Sequence, residues 1–313
     1  MSCISAKSLV KSYGNVSAVD HIDLEVKSGQ VFGFLGPNGA GKSTTIKLLT
    51  TLIHPNKGDL SILGIDAVKS PMNVRKKIGV VLQQPSYEPT LTVAKSLEKY
   101  GMMWDTPIDE RKKRVEQLLI DFDLVDIRNK KNEDLSIGQR RRVQVAREFM
   151  HDMELLFLDE PTVGLDPSAR RNLLDYLKNK VKSGLTIFYT THVLTEAEYI
   201  CDEIAIINQG KIIAVDSPED LKNRFGQEKT IKIHISKREE KISQLLANID
   251  DCKIEYETGT NITIHSDEST KVLSQVLQIL NENNIEIEDL SAVPTNLEEI
   301  FLKVVENSNA SNN

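Results

Sequence analysis

The positions of apolar and polar residues divide the chain into segments of two kinds. Residues 6–13 and 19–26 alternate between the two classes, as half-buried strands do, and Gly14 and Asn15 lie between them. This pattern predicts an antiparallel pair of strands. Four later segments are almost continuously apolar, which predicts strands buried on both faces of a parallel sheet. These segments are 31–35, 78–82, 154–159 and 186–189.

A long stretch with helical periodicity separates the second apolar segment from the third. Residues 92–150 carry no strong strand signal, and Thr92 is suited to cap a helix. Because the stretch lies between two α/β regions, it predicts a helical insertion over residues 88–150. We expect one α/β domain over residues 1–224. Its other predicted elements are helices at 42–52, 71–77 and 168–180, a short strand at 58–63 and a hairpin at 204–215.

The character of the sequence changes around residues 226–228. Beyond this point the order of elements is β-α-β-β-α-β, which is typical of the ferredoxin-like fold, so we expect a small α+β domain over residues 228–306. The asparagine- and serine-rich residues 307–313 predict a disordered tail. The predicted elements are strands at 230–236, 252–257, 261–266 and 285–292, helices at 237–248, 268–283 and 295–306, and a turn at Gly259.

Composition narrows the classes of function. The chain has 313 residues, 40% of them hydrophobic, which is enough for two domains with their own cores. A net charge of −7 and a pI of about 5.5 do not favour nucleic acid as the main ligand. The scattered Cys3, Cys201 and Cys252 predict reduced thiols rather than disulfides or a zinc site. No apolar run is long enough to span a bilayer, and residues 1–7 lack the apolar core of a signal peptide. A membrane role would therefore be that of a peripheral subunit.

One segment carries a specific chemical signature. Residues 36–43 read G-P-N-G-A-G-K-S, which fits G-x-x-x-x-G-K-[ST], and they lie between a predicted strand and a predicted helix. Glycines let backbone N–H groups converge on phosphate oxygens, and the helix N-terminus adds a positive dipole end. Lys42 would reach the β- and γ-phosphates, and Ser43 would ligate Mg²⁺. The predicted contacts to a nucleoside triphosphate come from Gly36, Pro37, Asn38, Gly39, Ala40, Gly41, Lys42, Ser43 and Thr44.

Polar side chains follow the other apolar segments. Asp159 and Glu160 end the third segment, where Asp159 would hold Mg²⁺ through water and Glu160 would polarise an attacking water as general base. Gln83 follows the second segment and can direct its carbonyl at Mg²⁺ or at the water, although its neighbour Gln84 leaves the choice open. His192 follows the fourth segment and can contact a γ-phosphate, although a lone histidine is more often structural.

Two further features are ambiguous by themselves. Ser136 is a natural N-cap, and Gly138 allows a phosphate to approach the N-terminus of the predicted helix that follows. The pattern alone favours an ordinary capped helix whose basic residues 140–142 lie in solvent. Tyr13 can stack on a nucleotide base, whereas packing on the sheet is the commoner role of such an aromatic residue.

Taken together, these segments resemble those of an ATP-binding cassette (ABC) transporter ATPase, in the same order, over residues 3–222. The resemblance implies a P-loop NTPase cassette with a RecA-like mixed sheet core, an antiparallel β subdomain and a helical subdomain. It also implies that Ser136, Gly138 and Gln139 contact the ATP bound to the other subunit of a dimer. The matching motifs are Walker A (36–44), the Q-loop glutamine (Gln83), the signature (135–139), Walker B with its catalytic base (155–159 and Glu160), the D-loop (164–167), the switch histidine (His192) and the base-stacking aromatic (Tyr13).

The closer resemblance is to the ATPases of daunorubicin-resistance type drug and antibiotic exporters. It rests on the arginines at 140–142 and on residues 294–301, which are similar to a C-terminal segment of that group. One position departs from the family pattern, because Ile137 replaces the first glycine of the signature. A β-branched residue restricts the backbone there, which predicts weaker dimer closure.

The resemblance implies an ATPase that uses ATP and Mg²⁺ and exports drug-like, antibiotic or lipid-like cargo. Its expected partners are a separate transmembrane permease and a second cassette, which is another copy or a different chain, with no nucleic acid. We expect it at the cytoplasmic face of the cell membrane. The alternatives are a soluble ABC ATPase of translation or DNA maintenance and a non-hydrolytic regulatory module. A single uninterrupted cassette does not favour the first, and the intact Asp159 and Glu160 do not favour the second.

Overall fold

The computed structural model describes residues 2–84, 86–225, 229–236, 242–246, 249, 252–257, 260–266, 269–293 and 297–310. The chain forms two units that divide between Ser217 and Pro218. The domain limits expected from the sequence stay predictions, and the change of character at 226–228 lies outside the described residues.

The first unit alternates strands with helices. Sequence patterns did not predict its elements β5 and α7, since two and seven residues are too few to establish a periodicity. In chain order the elements are β1 (Ser2–Tyr13), β2 (Val16–Lys27), β3 (Val31–Leu35), α1 (Lys42–Leu49), β4 (Lys57–Ile62), β5 (Ile65–Asp66), α2 (Pro71–Arg75), β6 (Ile78–Val81), α3 (Val93–Met103), α4 (Ile108–Asp121), α5 (Ile137–Glu148), β7 (Leu155–Asp159), α6 (Pro167–Lys182), β8 (Thr186–Thr190), α7 (Leu194–Ile200), β9 (Glu203–Asn208) and β10 (Lys211–Asp216).

A six-stranded sheet in the order β10-β9-β3-β8-β7-β6 forms the centre of this unit. Every residue of β3, β7 and β8 is buried, which fits their continuous apolar sequences. Neighbouring strands from β9 to β6 run parallel, and β10 pairs antiparallel with β9. The carboxyl ends of β3, β7 and β8 therefore meet at one edge, where ligands bind in open α/β folds.

The other two parts of the first unit are also those expected from the resemblance. Strands β2, β1, β4 and β5 form an antiparallel sheet in that order. Between β6 and β7, the described residues form helices α3, α4 and α5 and no named strand. Thr92 caps α3 as predicted, since its side chain accepts a hydrogen bond from the backbone N–H of Lys95.

The second unit has the ferredoxin-like order of elements. Its four strands form an antiparallel sheet in the order β12-β13-β11-β14, and isoleucines such as Ile233 and Ile264 pack with Val276 in its core. The elements are α8 (Pro218–Phe225), β11 (Lys229–Ile235), α9 (Ile242–Leu246), β12 (Lys253–Glu257), β13 (Asn261–Ser266), α10 (Ser269–Glu282), β14 (Ile287–Val293) and α11 (Leu297–Ala310).

The last helix reaches further than composition suggests. Helix α11 ends at Ala310. It therefore includes residues 307–310, the first part of the segment that we expected to be disordered. The rest of that segment, the predicted turn at Gly259 and residues 294–296 of the family-like segment lie outside the described residues. Within the described ranges, no helix combines the length and apolar character needed to cross a membrane.

Phe188 lies at the centre of the main core. Its ring centroid is 5.8 Å from that of Phe32, 5.4 Å from that of Phe34 and 5.5 Å from that of Phe157. All four side chains are fully buried. These aromatic contacts hold together the three strands that carry the functional edge.

We expect Phe188→Ala to lower the free energy of unfolding by about 3–5 kcal/mol, because it leaves a cavity among three aromatic rings. Fluorescence of Trp104, the single tryptophan of the chain, reports urea unfolding of the first unit. The matched control Met103→Ala alters a side chain that is 65% exposed and should change stability by no more than about 0.5 kcal/mol. Equal midpoints for the two variants would contradict this packing.

Candidate functional site

The loop between β3 and α1 needs glycine at two positions. A Cβ atom at Gly36 would lie 2.3 Å from the carbonyl oxygen of Ile207, and one at Gly41 would lie 2.3 Å from that of Ala18. Gly41 also precedes α1 with a φ of +109°, which favours glycine. The loop is thus fixed against β9 and β2, with the N-terminus of α1 open to an anion.

Lys42 is held over this loop by its own backbone. Its Nζ donates to the carbonyl oxygens of Gly36, at 2.7 Å, and Pro37, at 3.1 Å. Burial lowers the pKa of Lys42, and the negative charges of Glu160 and Asp159 oppose that shift. The ammonium group therefore lies between the phosphate loop and the two carboxylates, where phosphate oxygens would compete for it.

The end of β7 is fixed by the end of β8. The Thr190 hydroxyl donates to Asp159 Oδ1 at 2.6 Å, and the backbone N–H of Glu160 donates to the Thr190 carbonyl at 3.1 Å. Burial raises the pKa of Asp159, which the Thr190 hydrogen bond opposes. Glu160 has a φ of +51°, an uncommon value for a residue with a side chain.

Of the three residues predicted to be catalytic, Gln83 and His192 both contact Glu160. Gln83 Nε2 donates to Glu160 Oε2 at 3.1 Å, and His192 Nδ1 lies 3.3 Å from Glu160 Oε1. Glu160 is buried, while the His192 side chain is 60% exposed. Both oxygens of the candidate base therefore have a partner, one on the segment after β6 and one on the segment after β8.

A cleft of about 310 Å³ joins the phosphate loop to this carboxylate pair. Ala18 of β2 also lines this cleft, although no sequence signal had indicated it. The cleft brings together the residues predicted to bind Mg²⁺ and most of those predicted to bind phosphate, but Gly36, Pro37 and Ala40 do not line it. It is lined by Ala18, Asn38, Gly39, Gly41, Lys42, Ser43, Thr44, Gln83, Asp159 and Glu160.

The signature residues lie elsewhere on the unit. Ser136 and Gln139 form a capping box at the start of α5, in which the Ser136 N–H donates to Gln139 Oε1 at 3.0 Å and the Gln139 N–H donates to Ser136 Oγ at 3.2 Å. A Cβ at Gly138 would lie 2.6 Å from the carbonyl oxygen of Gly164. None of the three signature residues lines the cleft of the same chain.

Tyr13 is likewise separate from the lining of the cleft. It ends β1, is 51% exposed, and has the Lys11 ammonium 5.6 Å from its ring centroid. An exposed ring at this place is not part of the sheet core, which leaves one face accessible. Its role in stacking on a base stays a prediction.

Sequence reasoning missed Glu196, which joins several functional segments. Its buried Oε2 accepts hydrogen bonds from the hydroxyls of Thr162 (2.9 Å), Tyr189 (2.7 Å) and Thr191 (3.0 Å). Its Oε1 forms an ion pair with Arg170 Nε at 3.2 Å. Glu196 thereby links the segment after Glu160 to the residue before His192. It lies on the unpredicted helix α7, and one of its partners, Thr162, is 34 residues away in sequence.

Two models of known protein families match different parts of the chain. A family model described as "ABC transporter" matches residues 19–163. A second model, described as "ATP-binding protein DrrA1-3-like, C-terminal domain", matches residues 217–305.

Two relatives are similar over nearly their whole length. The linearmycin resistance ATP-binding protein LnrL of Bacillus subtilis is 34% identical over 304 residues, covering 96% of this chain and 97% of the relative. The daunorubicin/doxorubicin resistance ATP-binding protein DrrA of Streptomyces peucetius is 34% identical over 310 residues, covering 96% and 91%.

Solved structures resemble the first part of the chain. The ATP-binding subunit of an ABC transporter matches with a TM-score of 0.67 and 29% identity over 72% of this chain and 93% of that one. A dimeric post-hydrolysis ATP-binding cassette bound to ADP and phosphate matches with a TM-score of 0.64 and 27% identity, over 68% of this chain and 98% of that one.

Removal of the Glu196 carboxylate should destabilise the first unit. Glu196→Ala leaves three buried hydroxyls without their acceptor and removes the ion-pair partner of Arg170, so we expect a loss of about 3–5 kcal/mol in the free energy of unfolding. Urea unfolding followed by Trp104 fluorescence measures it. Glu198→Ala, which changes an exposed carboxylate on the same helix, serves as control. A loss no larger than that of the control would show that the hydroxyl cluster contributes nothing.

Proposed function

The chain belongs to the family of ABC transporter ATP-binding proteins of the daunorubicin-resistance type, and from this membership we propose that its ATP hydrolysis drives an exporter of drug-like, antibiotic or lipid-like cargo. As a member of that family it is an ATPase. One observation carries the proposal: the phosphate loop, the carboxylates of Asp159 and Glu160, and the side chains of Gln83 and His192 meet at one edge of the central sheet.

Each group at this edge suits one task in phosphoryl transfer. Backbone N–H groups of the loop and Lys42 would hold the phosphates, because glycines leave the backbone uncovered. Glu160 would accept the proton of the attacking water, and Gln83 and His192 would orient the reacting groups. Positioning and charge neutralisation supply most of the rate gain in such reactions.

The residues of the cleft also fit Mg²⁺. This ion prefers oxygen ligands and is bound by one or two carboxylates together with phosphates and water. The Ser43 hydroxyl, the Asp159 carboxylate and the Gln83 side-chain carbonyl all line the same cleft. Bound Mg²⁺ would neutralise charge on the phosphates, and Thr190 would keep the Asp159 carboxylate oriented towards it.

We infer that two cassettes sandwich the nucleotide. The signature residues Ser136, Gly138 and Gln139 lie outside the cleft of their own chain, so they would cover the ATP of a partner cassette. The solved post-hydrolysis cassette to which this chain is similar is a dimer. The partner is a second copy or a different cassette, and Tyr13 would stack on the base of the ATP held by its own chain.

The dimer would work with a separate transmembrane permease at the cytoplasmic face of the cell membrane. Relatives named for resistance to linearmycin and daunorubicin support export as the direction of transport. The family model that matches residues 19–163 is described as "ABC transporter", so a soluble ABC ATPase of translation or DNA maintenance is not favoured.

The general-base role of Glu160 predicts a separation of binding from turnover. We expect Glu160→Gln to keep ATP affinity, to lower steady-state hydrolysis by at least on the order of 100-fold, and to accumulate as an ATP-bound dimer. Colorimetric phosphate release and size-exclusion chromatography measure the two effects. Lys42→Ala is the control, because loss of the phosphate cradle should prevent both nucleotide binding and dimer formation. Full turnover by Glu160→Gln would remove Glu160 from this role.

The transporter role predicts a membrane partner. The tagged chain, used to isolate complexes from native membranes with and without Mg-ATP, should recover a polytopic membrane protein that the tag alone does not recover. Mass spectrometry of the complex identifies that protein. Recovery of ribosomes or DNA-bound complexes from the soluble fraction, with no membrane partner, would overturn the proposal.

A further inference from the structure

A buried arginine connects the signature helix to the catalytic edge. Arg141 belongs to α5 and is only 5% exposed. Its Nη1 donates to the carbonyl oxygen of Leu82 at 2.9 Å, and its Nη2 donates to those of Gln83 at 3.0 Å and Glu160 at 3.2 Å. One guanidinium thus joins the segment after β6 to the residue after β7.

We propose that Arg141 is a positioning residue for ATP hydrolysis. It fixes the position of Gln83 relative to Glu160 and transmits movements of α5 to both residues. The proposal rests on the proposed function. Arg141 lies outside the lining of the cleft, so it acts through these two residues rather than on the nucleotide.

The geometry of the contacts favours this role over simple support. Arg141 holds the backbone carbonyls of Gln83 and Glu160, while the side chains of the same two residues contact each other at 3.1 Å. Since Glu160 has a φ of +51°, the orientation of its carbonyl and that of its carboxylate are set by one strained residue. A planar fork has fixed donor directions and holds its acceptors in one geometry, whereas a lysine ammonium is a point charge on a flexible stem.

Electrostatics adds a second reason. Burial lowers the pKa of Arg141, and the negative charges of Asp159 and Glu160 oppose that shift. Arginine stays protonated in proteins, so the guanidinium compensates charge on the two carboxylates. Its removal would leave the two buried acids with less positive charge beside them.

The rest of α5 extends the connection along the same segment. Gln144 Nε2 lies 3.4 Å from the carbonyl oxygens of Leu82 and Gln84, and Arg147 Nη2 donates to Ser86 Oγ at 2.9 Å. Arg141, Gln144 and Arg147 follow one another at intervals of three residues and so share one face of α5. The N-terminus of the same helix carries Ser136, which would contact ATP in a partner cassette. A shift of α5 on dimer closure would therefore reach Gln83 and Glu160 directly.

The sequence pattern alone suggested that the basic residues 140–142 form a solvated face. In the structure their side chains contact other parts of the chain instead. Arg140 contacts the ring of Tyr87 and the carbonyl of Leu135, and Arg142 Nη1 donates to the carbonyl of Asp123 at 2.8 Å. The hydrogen bonds of Arg142 go to Phe122 and Asp123 rather than to the catalytic edge, which makes it a matched control on the same helix.

The test separates positioning from stability by kinetics. We expect Arg141→Lys and Arg141→Gln to lower kcat by on the order of 10- to 100-fold, with KM for ATP within about twofold, because misplacement of reacting groups costs this much. Arg142→Lys should keep kcat within about twofold. Rates are measured below the thermal midpoint of each variant, and equilibrium ATP binding is measured beside them.

A double-mutant cycle with Gln83→Ala identifies the route of the effect. Arg141→Lys should lower kcat less in the Gln83→Ala background than in the wild type, because one of the two positioned side chains is already gone. A purely structural arginine would give additive effects that follow the loss in thermal midpoint, which would overturn the proposal. Unchanged kcat in Arg141→Lys and Arg141→Gln would do the same. Absence of hydrolysis by the wild type would instead refute the proposed function.

Discussion

Four buried charges at one edge of the central sheet constrain the rest of the structure. Lys42 and Arg141 carry the positive charges, Asp159 and Glu160 the negative ones, and none is more than 8% exposed. An isolated buried ion costs several kcal/mol, so each of the four requires the others and the surrounding hydrogen bonds. The strand β7, the helix α1 and the helix α5 must all bring their residues to this point. The all-buried strands and the aromatic core around Phe188 supply the rigid base that keeps them there.

The same balance of charge supports the proposed binding of the nucleotide together with Mg²⁺. The two cations are already matched by two carboxylates, and Lys42 is further satisfied by the carbonyls of its own loop. A triphosphate alone would add several negative charges to a neutral cluster. Mg²⁺ would compensate them, and Ser43 and Asp159 offer it oxygen ligands. Phosphates would also compete with the Gly36 carbonyl for the Lys42 ammonium. Nucleotide binding would therefore replace contacts of Lys42 with its own loop by contacts with phosphate.

Sequence alone predicts those parts of the site whose chemistry is carried by adjacent residues. The phosphate loop, the acids after β7 and the capping residue Ser136 belong to this class, since each is a short motif next to a strand or helix. Arg141 and Glu196 do not belong to it. A basic or acidic residue on a helix is usually exposed. The backbone carbonyls that Arg141 holds together are also 19 to 59 residues away from it, and Glu196 joins Thr162, 34 residues away, to the nearby Thr191. For the same reason, nothing in the sequence shows that Gly36 and Gly41 pack against Ile207 and Ala18.

The departure at Ile137 is accommodated within the chain. Ile137 is 67% exposed, and its Cγ2 would lie 2.8 Å from a Cβ placed on Gly164, which has a φ of +81°. The β-branched side chain thus lies over a residue that has no side chain of its own. Gly138 in turn approaches the carbonyl of Gly164 so closely that it cannot carry one. The start of α5 is therefore packed on the turn before α6, while the Arg141 face of the same helix is attached to Gln83 and Glu160. Contacts at the exposed Ile137 would act on a helix that is already connected to Glu160, the proposed general base.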